Sequence, residues 1–245
     1  MEIKTNTANK QNFGDKRDVS AIKYIVIHFT ANDGDTDEAN ANYFKNNVVK
    51  ASAHYFVDSD SITQSVKDDY VAWSVGGSKY SNCNQTGGGK FYKKCTNANS
   101  ISIELCDDKK NGIIYPSGAT IKKAILLTKL LMRKYNIPAS NVIRHFDVTG
   151  KLCPSYWCGS DKNNELWRTE FHSKLNEKSD VAYKIKVTSN ELAIRKGAGT
   201  NYNKVGSIKK GEVYTIVDEK YNGKNKWGKL KSGAGWISLK YTKKC

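Results

Sequence analysis

Proline is scarce in this 245-residue chain, with three residues, and of its forty basic residues only five are Arg. So few prolines, beside 11% aromatic residues, argue against a long disordered tract. No stretch approaches the roughly 18 consecutive apolar residues of a membrane span, so membrane insertion is not expected. The first twenty residues, MEIKTNTANKQNFGDKRDVS, contain no apolar block, which predicts that no Sec-type signal peptide is present. Six cysteines (Cys83, Cys95, Cys106, Cys153, Cys158 and Cys245) are too few for a disulfide scaffold. They are read as mostly reduced thiols or ligands, with Cys83 and Cys95 the pair placed to bond in an oxidising medium. Histidine is rarer still, with four residues.

What is abundant is lysine. Forty Lys+Arg against 24 Asp+Glu give a net charge of +16. The charge is uneven: residues 179–245 carry 15 basic and 5 acidic side chains, net +10, against +6 for the rest. A basic chain seeks an anionic partner such as nucleic acid, an acidic membrane or an acidic wall polymer. Arg is favoured where bases and phosphates are read bidentately, so a Lys-dominated field points to diffuse attraction. No helix-turn-helix, RRM or zinc-finger spacing is present, and no nucleic-acid partner is expected.

Periodicity divides the chain. AIKYIVIHFT (21–30) is a β-branched run suited to a buried central strand. Asp35 with Glu38 has the spacing of an N-cap and capping box for a helix to about Lys45 or Val49. Residues 53–58, 61–66, 70–75 and 100–106 read as strands, and 76–99, with five glycines, as a long loop. Thr120 to Tyr135 reads as a core helix, apolar nearly all round. NVIRHFD (141–147) reads as a strand running into a loop, and Asp161 to Leu175 as an amphipathic helix. Strands and helices alternate to about 175, which predicts an α/β fold, a mixed central sheet flanked by helices. From Tyr183 short strands alternate with Gly, Asn and Lys turns, which predicts a small all-β barrel. The expected domains are 1–176 and 183–245, with a linker at 177–182.

Chemistry gathers on few residues. His28 ends a buried strand, and His145 lies in RHFDVTGKLCP, eight residues before Cys153. Two imidazoles and a thiolate form a three-ligand zinc set that leaves a fourth position open, as catalytic zinc requires. Glu104 is the one carboxylate embedded in an apolar strand, where desolvation raises its pKa and suits it to proton transfer. Lys151, between two of the ligands, is placed to put positive charge near a developing oxyanion. Each residue alone has a plainer reading. A strand-end histidine is usually a core or surface residue, a lone H-x7-C means little, and a strand glutamate can be structurally paired.

YIVIHFT, SAHYFVD, VAWSVG, NSISIEL and RHFDVTGKLCP, in this order, resemble the zinc-dependent N-acetylmuramoyl-L-alanine amidases of the type 2 family, whose fold includes peptidoglycan recognition proteins and phage endolysins. The likeness covers roughly residues 20–175. It implies a groove holding Zn2+ on His28, His145 and Cys153, with Glu104 as general base and Lys151 as oxyanion stabiliser. It also implies cleavage of the amide between the muramic acid lactyl group and L-alanine of the stem peptide. Ala53 stands where some relatives carry Tyr, and the Cys ligand places the chain in the His/His/Cys branch. His54 is read as lining the groove or packing structurally, and Trp73 as packing or as touching substrate. Tyr80, Phe91 and Tyr92 of the 76–99 loop are candidate stacking surfaces, and His172 a surface or packing residue.

ELAIRKGAGTNYNKVGSIKKGEVYTI, KWGKL and GWISL (about 183–245) resemble the bacterial SH3 domain, with Ala193 and Ala198 departing from its common Asn and Pro. This resemblance and the local charge imply attachment to bacterial peptidoglycan and anionic wall polymers. The expected protein is a monomeric peptidoglycan hydrolase of endolysin or autolysin type, made in the host cytoplasm and acting on the wall after holin-type or other release. The alternative is a peptidoglycan-binding protein without catalysis.

Overall fold

The computed structural model describes residues 2–176 and 183–245, and the expected linker 177–182 lies outside them. The chain divides after Asn176 into two compact units.

The first unit runs β1 (Lys4–Thr5), β2 (Phe13–Lys16), β3 (Tyr24–Phe29), α1 (Asp37–Asn46), β4 (Tyr55–Val57), β5 (Ile62–Gln64), β6 (Tyr70–Ala72), α2 (Cys83–Thr86), β7 (Ser100–Leu105), α3 (Gly118–Tyr135), β8 (Val142–Arg144), α4 (His145–Thr149) and α5 (Asp161–Leu166). Six strands form one sheet in the order β1-β5-β4-β7-β3-β8. All its pairings are parallel except β4 with β5. β2 and β6 make a separate antiparallel pair.

Strand alternation sorts core from chemistry. In β3 and β7, Ile25, Ile27, Ile101, Ile103 and Leu105 enter the main core together with Ala124, Leu127 and Leu131 of α3. The intervening residues of these strands, Val26 and His28 and then Ser100, Ser102 and Glu104, face the other side. There Val26 packs with Val75, Cys95, Ile143 and Val148.

Helix α3 departs from the expectation of apolar sides all round. It buries Thr120, Ala124, Leu127, Thr128 and Leu131 at helical spacing, and leaves Leu126 exposed. One face suffices because the helix covers only one side of the sheet. Its ends are set by Ser117, which accepts the Thr120 N–H, and by Asn136 in the left-handed conformation. Helix α1 is capped by Thr36 and not by Asp35. The Asp35 carboxylate is already engaged, accepting from the Asp107 N–H at 2.9 Å and the Asn40 amide at 2.6 Å. The helix expected from Asp161 to Leu175 is present, but α5 passes into a π-helical turn at Trp167–His172 and a 3₁₀ turn at Ser173–Leu175. This lets Trp167 and Phe171 stack with ring centroids 5.1 Å apart.

The second unit is all β: β9 (Tyr183–Val187), β10 (Glu191–Arg195), β11 (Lys204–Lys209), β12 (Val213–Asn222), β13 (Asn225–Leu230), β14 (Trp236–Ser238) and β15 (Thr242–Lys244). They pair antiparallel in the order β11-β10-β14-β13-β12-β9-β15. The strands enclose Ile185, Val187, Leu192, Ile194, Ile208, Ile216, Leu230 and Ile237. Gly235, at φ +142°, is required there, since a Cβ would lie 2.4 Å from the Arg195 carbonyl oxygen.

Among the described residues no helix is long and apolar enough to cross a membrane.

Candidate metal centre and cleft

His28 and Glu104 are paired in register on adjacent parallel strands, so both side chains leave the same face of the sheet. The Nδ1 of His28 lies 3.9 Å from Glu104 Oε1 and 3.7 Å from Cys153 Sγ. The His28 and His145 rings meet edge to face at 4.8 Å. One donor atom from each of His28, His145 and Cys153 lies within 4.8 Å of the others, and all three residues are buried.

The chain reaches this geometry through a tight turn. β8 ends at Arg144, and His145, expected in an extended segment, instead opens α4. Arg144 binds the Asp147 carboxylate through Nη2 at 2.7 Å and Nε at 3.0 Å, and donates through Nη1 to Asn164 at 2.8 Å. Gly150 then reverses the chain at φ +88°, where a Cβ would lie 2.3 Å from Cys83 Sγ. The Phe146 N–H donates to the Cys153 carbonyl at 3.0 Å, bringing Cys153 back beside His145. Sequence reasoning missed Arg144 and Asp147, whose three-residue spacing in RHFD was the available signal.

These donors suit zinc. His145 Nδ1 is buried without a hydrogen-bond partner, which marks a nitrogen left free for another ligand, and Nδ1 is the His28 nitrogen that faces Cys153 and Glu104. Burial, reinforced by the charges of His145 and Lys151, holds His28 well below the usual histidine pKa. Burial and Lys151 bring His145 down to about 4. Both imidazoles are therefore neutral, as metal ligands must be. Tetrahedral zinc bonds place a nitrogen and a sulfur ligand about 3.6 Å apart, close to the separation seen between His28 and Cys153.

Glu104 is 19% exposed, and its Oε2 has no hydrogen-bond partner. Desolvation pushes its pKa up to about 8, with Lys151 opposing and Asp35 adding to the shift. His145 and Lys151 line a cleft of about 720 Å³, together with Trp73, Tyr80 and Asn97.

Trp73 is thus on the cleft wall, whereas His54 is not. His54 is 1% exposed, with the Ser102 N–H donating to its Nδ1 at 3.1 Å and the Tyr70 carbonyl 3.1 Å from its Nε2. It braces the sheet from within. Of the three aromatics singled out in the 76–99 loop, Tyr80 lines the cleft. Phe91 packs on Tyr24 at 5.8 Å. That loop is strapped to α4 by the Tyr80, Gly89 and Phe91 N–H groups, which donate to Thr149, Phe146 and Asp147 carbonyls. All six cysteines are free thiols, and Cys83 and Cys95 are each buried without a disulfide. The His172 ring lies 2.9 Å from the Ala139 carbonyl and contacts Trp167, a packing role.

Sheet, cleft and donor set define an α/β unit with a candidate metal centre, and a small all-β unit follows it. The model of the N-acetylmuramoyl-L-alanine amidase family matches residues 18–156, and that of the bacterial SH3 domain residues 190–243. The chain belongs to the N-acetylmuramoyl-L-alanine amidase family and carries a bacterial SH3 domain. It is 29% identical over 194 residues to the N-acetylmuramoyl-L-alanine amidase CwlL of Bacillus licheniformis, covering 77% of this chain and 50% of that protein. A probable N-acetylmuramoyl-L-alanine amidase of the same species is 31% identical over 165 residues, 66% of this chain and 44% of its own. The chain thus spans about half the length of the curated relatives it matches. Among solved structures, a mutant of PlyL superposes with TM-score 0.55 at 27% identity, covering 72% of this chain and 99% of its own. The catalytic domain of XlyA gives TM-score 0.53 at 27% identity, covering 72% and 100%.

Proposed function

We propose that the chain is a zinc-dependent peptidoglycan hydrolase that cleaves the amide between N-acetylmuramic acid and L-alanine of the stem peptide. The observation that carries this reading is Glu104, with Oε1 toward His28 and Oε2 unpartnered, beside the His28, His145 and Cys153 cluster and an open cleft. Family membership, the similarity to amidases of Bacillus licheniformis and the likeness to the catalytic domain of XlyA support it.

His28, His145 and Cys153 hold the metal. When bound, zinc supplies Lewis-acid polarisation of the scissile carbonyl and lowers the pKa of water toward about 7. Glu104 accepts the proton of the attacking water and returns it to the leaving amine of L-alanine. Desolvation makes its carboxylate a stronger base than one in water, and its free Oε2 leaves an acceptor position for that proton. The Lys151 ammonium stabilises negative charge developing on the carbonyl oxygen. Arg144 and Asp147 keep His145 and Cys153 on one turn, so the donor set needs little reorganisation. Trp73 and Tyr80 give the cleft flat apolar surfaces for sugar or peptide.

The SH3 domain, with the net charge of +10 over residues 179–245, concentrates the enzyme on peptidoglycan and anionic wall polymers.

The test is digestion of purified Gram-positive peptidoglycan, with and without chelator, followed by mass spectrometry of the soluble products. Free stem peptides beginning with L-alanine, abolished by chelator and restored by zinc, are expected. Cut glycan strands or cut cross-links would sink the assignment. Tight wall binding without any product would leave a recognition protein.

A further inference from the structure

Three lysines, Lys50, Lys79 and Lys151, line the cleft, and no carboxylate does. None of the three forms an ion pair with a described residue. Acidic side chains gather instead on the loops after β3 and β7, where Asp33, Asp35 and Asp107 accept from backbone N–H groups. The cleft therefore presents uncompensated positive charge to whatever occupies it.

Lys50 is held there in an unusual way. It adopts φ +55°, a left-handed conformation that side chains other than glycine enter at a cost. Asn12, wholly buried, stabilises it. Its side-chain oxygen accepts the Val49 N–H at 2.8 Å and the Lys50 N–H at 3.0 Å. Its amide group donates to the Phe44 and Asn47 carbonyls, both at 2.7 Å. All four hydrogen-bonding positions of the carboxamide are thus spent on the segment that carries Lys50.

Asn12 lies outside residues 18–156, the stretch matched by the family model. The same N-terminal stretch supports the cleft twice more. A Cβ on Gly14 would lie 3.1 Å from the Trp73 indole nitrogen. Arg17 donates to the Asn97 carbonyl at 3.1 Å, and Trp73 and Asn97 both line the cleft.

We propose that the cleft selects stem peptides bearing free carboxylates over the corresponding carboxamides, with Lys50 as the discriminating contact and Asn12 as the residue that positions it. The proposal rests on the amidase reading of this site. An ammonium group binds a carboxylate through a charge-assisted hydrogen bond, about twice as strong as that to a neutral amide. Carboxylates are the anionic groups that a stem peptide offers, and amidation removes them without changing its shape.

The 245-residue chain is tested on two soluble muramyl tripeptides, identical except that one has its carboxylates as carboxamides. Wild type is expected to favour the acidic substrate by about tenfold in kcat/KM, with the difference in KM. Lys50→Gln is expected to bring the ratio toward one, Lys50→Arg to retain it, and Asn12→Ala to shrink it through KM. Should Asn12→Ala not fold, Asn12→Asp serves in its place, because it keeps the acceptor for Val49 and Lys50 but lacks the donors to Phe44 and Asn47. Equal kcat/KM for the two substrates in wild type, or an unchanged ratio in Lys50→Gln, overturns the proposal. Cleavage of neither tripeptide overturns the amidase reading itself, and this proposal with it.

Discussion

The Ser102 N–H donates to Nδ1 of His54 across 3.1 Å, so this buried imidazole is an acceptor at Nδ1 and is neutral. Its burial, with the Arg17 guanidinium 3.0 Å from Nε2, brings its pKa down to about 4. The unfolded chain binds a proton at His54 near pH 6.5, and the folded one only near 4. Stability from this residue is therefore complete above about pH 6.5 and falls as pH drops toward 4, a loss of roughly 3 kcal/mol. Thermal melts of wild type and His54→Gln across pH 7 to 4 check the sign. The wild type should lose more stability on acidification than the variant.

Cys153→Ala removes one of three donors from the cluster. Zinc affinity should fall by at least about 100-fold, and metal analysis after dialysis should find well under one zinc per chain. Wild type should retain close to one. Equal zinc content in the two proteins would show that Cys153 is not a ligand.

Glu104→Gln keeps the shape of the side chain and removes its basicity. It should retain zinc and melt no lower than wild type, because it relieves the desolvated carboxyl, while stem-peptide release falls by about 10³-fold. Activity within a few-fold of wild type would move the base to another residue.

Arg144 and Asp147 form a pair with side chains 9% and 13% exposed. Arg144→Ala strands the Asp147 carboxylate and should cost about 3 kcal/mol of stability in denaturant unfolding. It should also weaken zinc binding, because His145 and Cys153 flank the turn that the pair holds. A loss below about 0.5 kcal/mol would mean that the turn stands without it.

Wall binding should weaken as salt rises from about 50 to 300 mM, because the Debye length that screens the diffuse attraction of a +10 segment falls from about 14 to about 6 Å. Sedimentation with purified walls measures it. Retention independent of salt would place the attraction in specific contacts of the β unit.

Much of the site was legible because its residues obey simple periods. His28 and Glu104 sit on alternating strands, and the alternation that marks Ile101, Ile103 and Leu105 as core marks Glu104 as facing the other way. Cys153 was legible through its motif, since nothing in spacing alone says that Gly150 folds the chain back. His54 was not, because a histidine next to a strand looks the same whether it faces solvent or a serine hydroxyl. The supports of Asn12 and Arg17 were invisible for a different reason. Their partners lie 32 to 83 residues away in sequence, and the polar N-terminal stretch has no pattern that betrays burial.

The pairing of β3 with β7 also constrains how this chain can change. A one-residue insertion inside either strand would exchange its two faces, sending Glu104 or His28 into the aliphatic layer under α3 and an isoleucine or leucine toward the cleft. A one-residue length change in these strands should therefore disturb core and site together, and variation is left to point substitutions and to the loops at the strand ends.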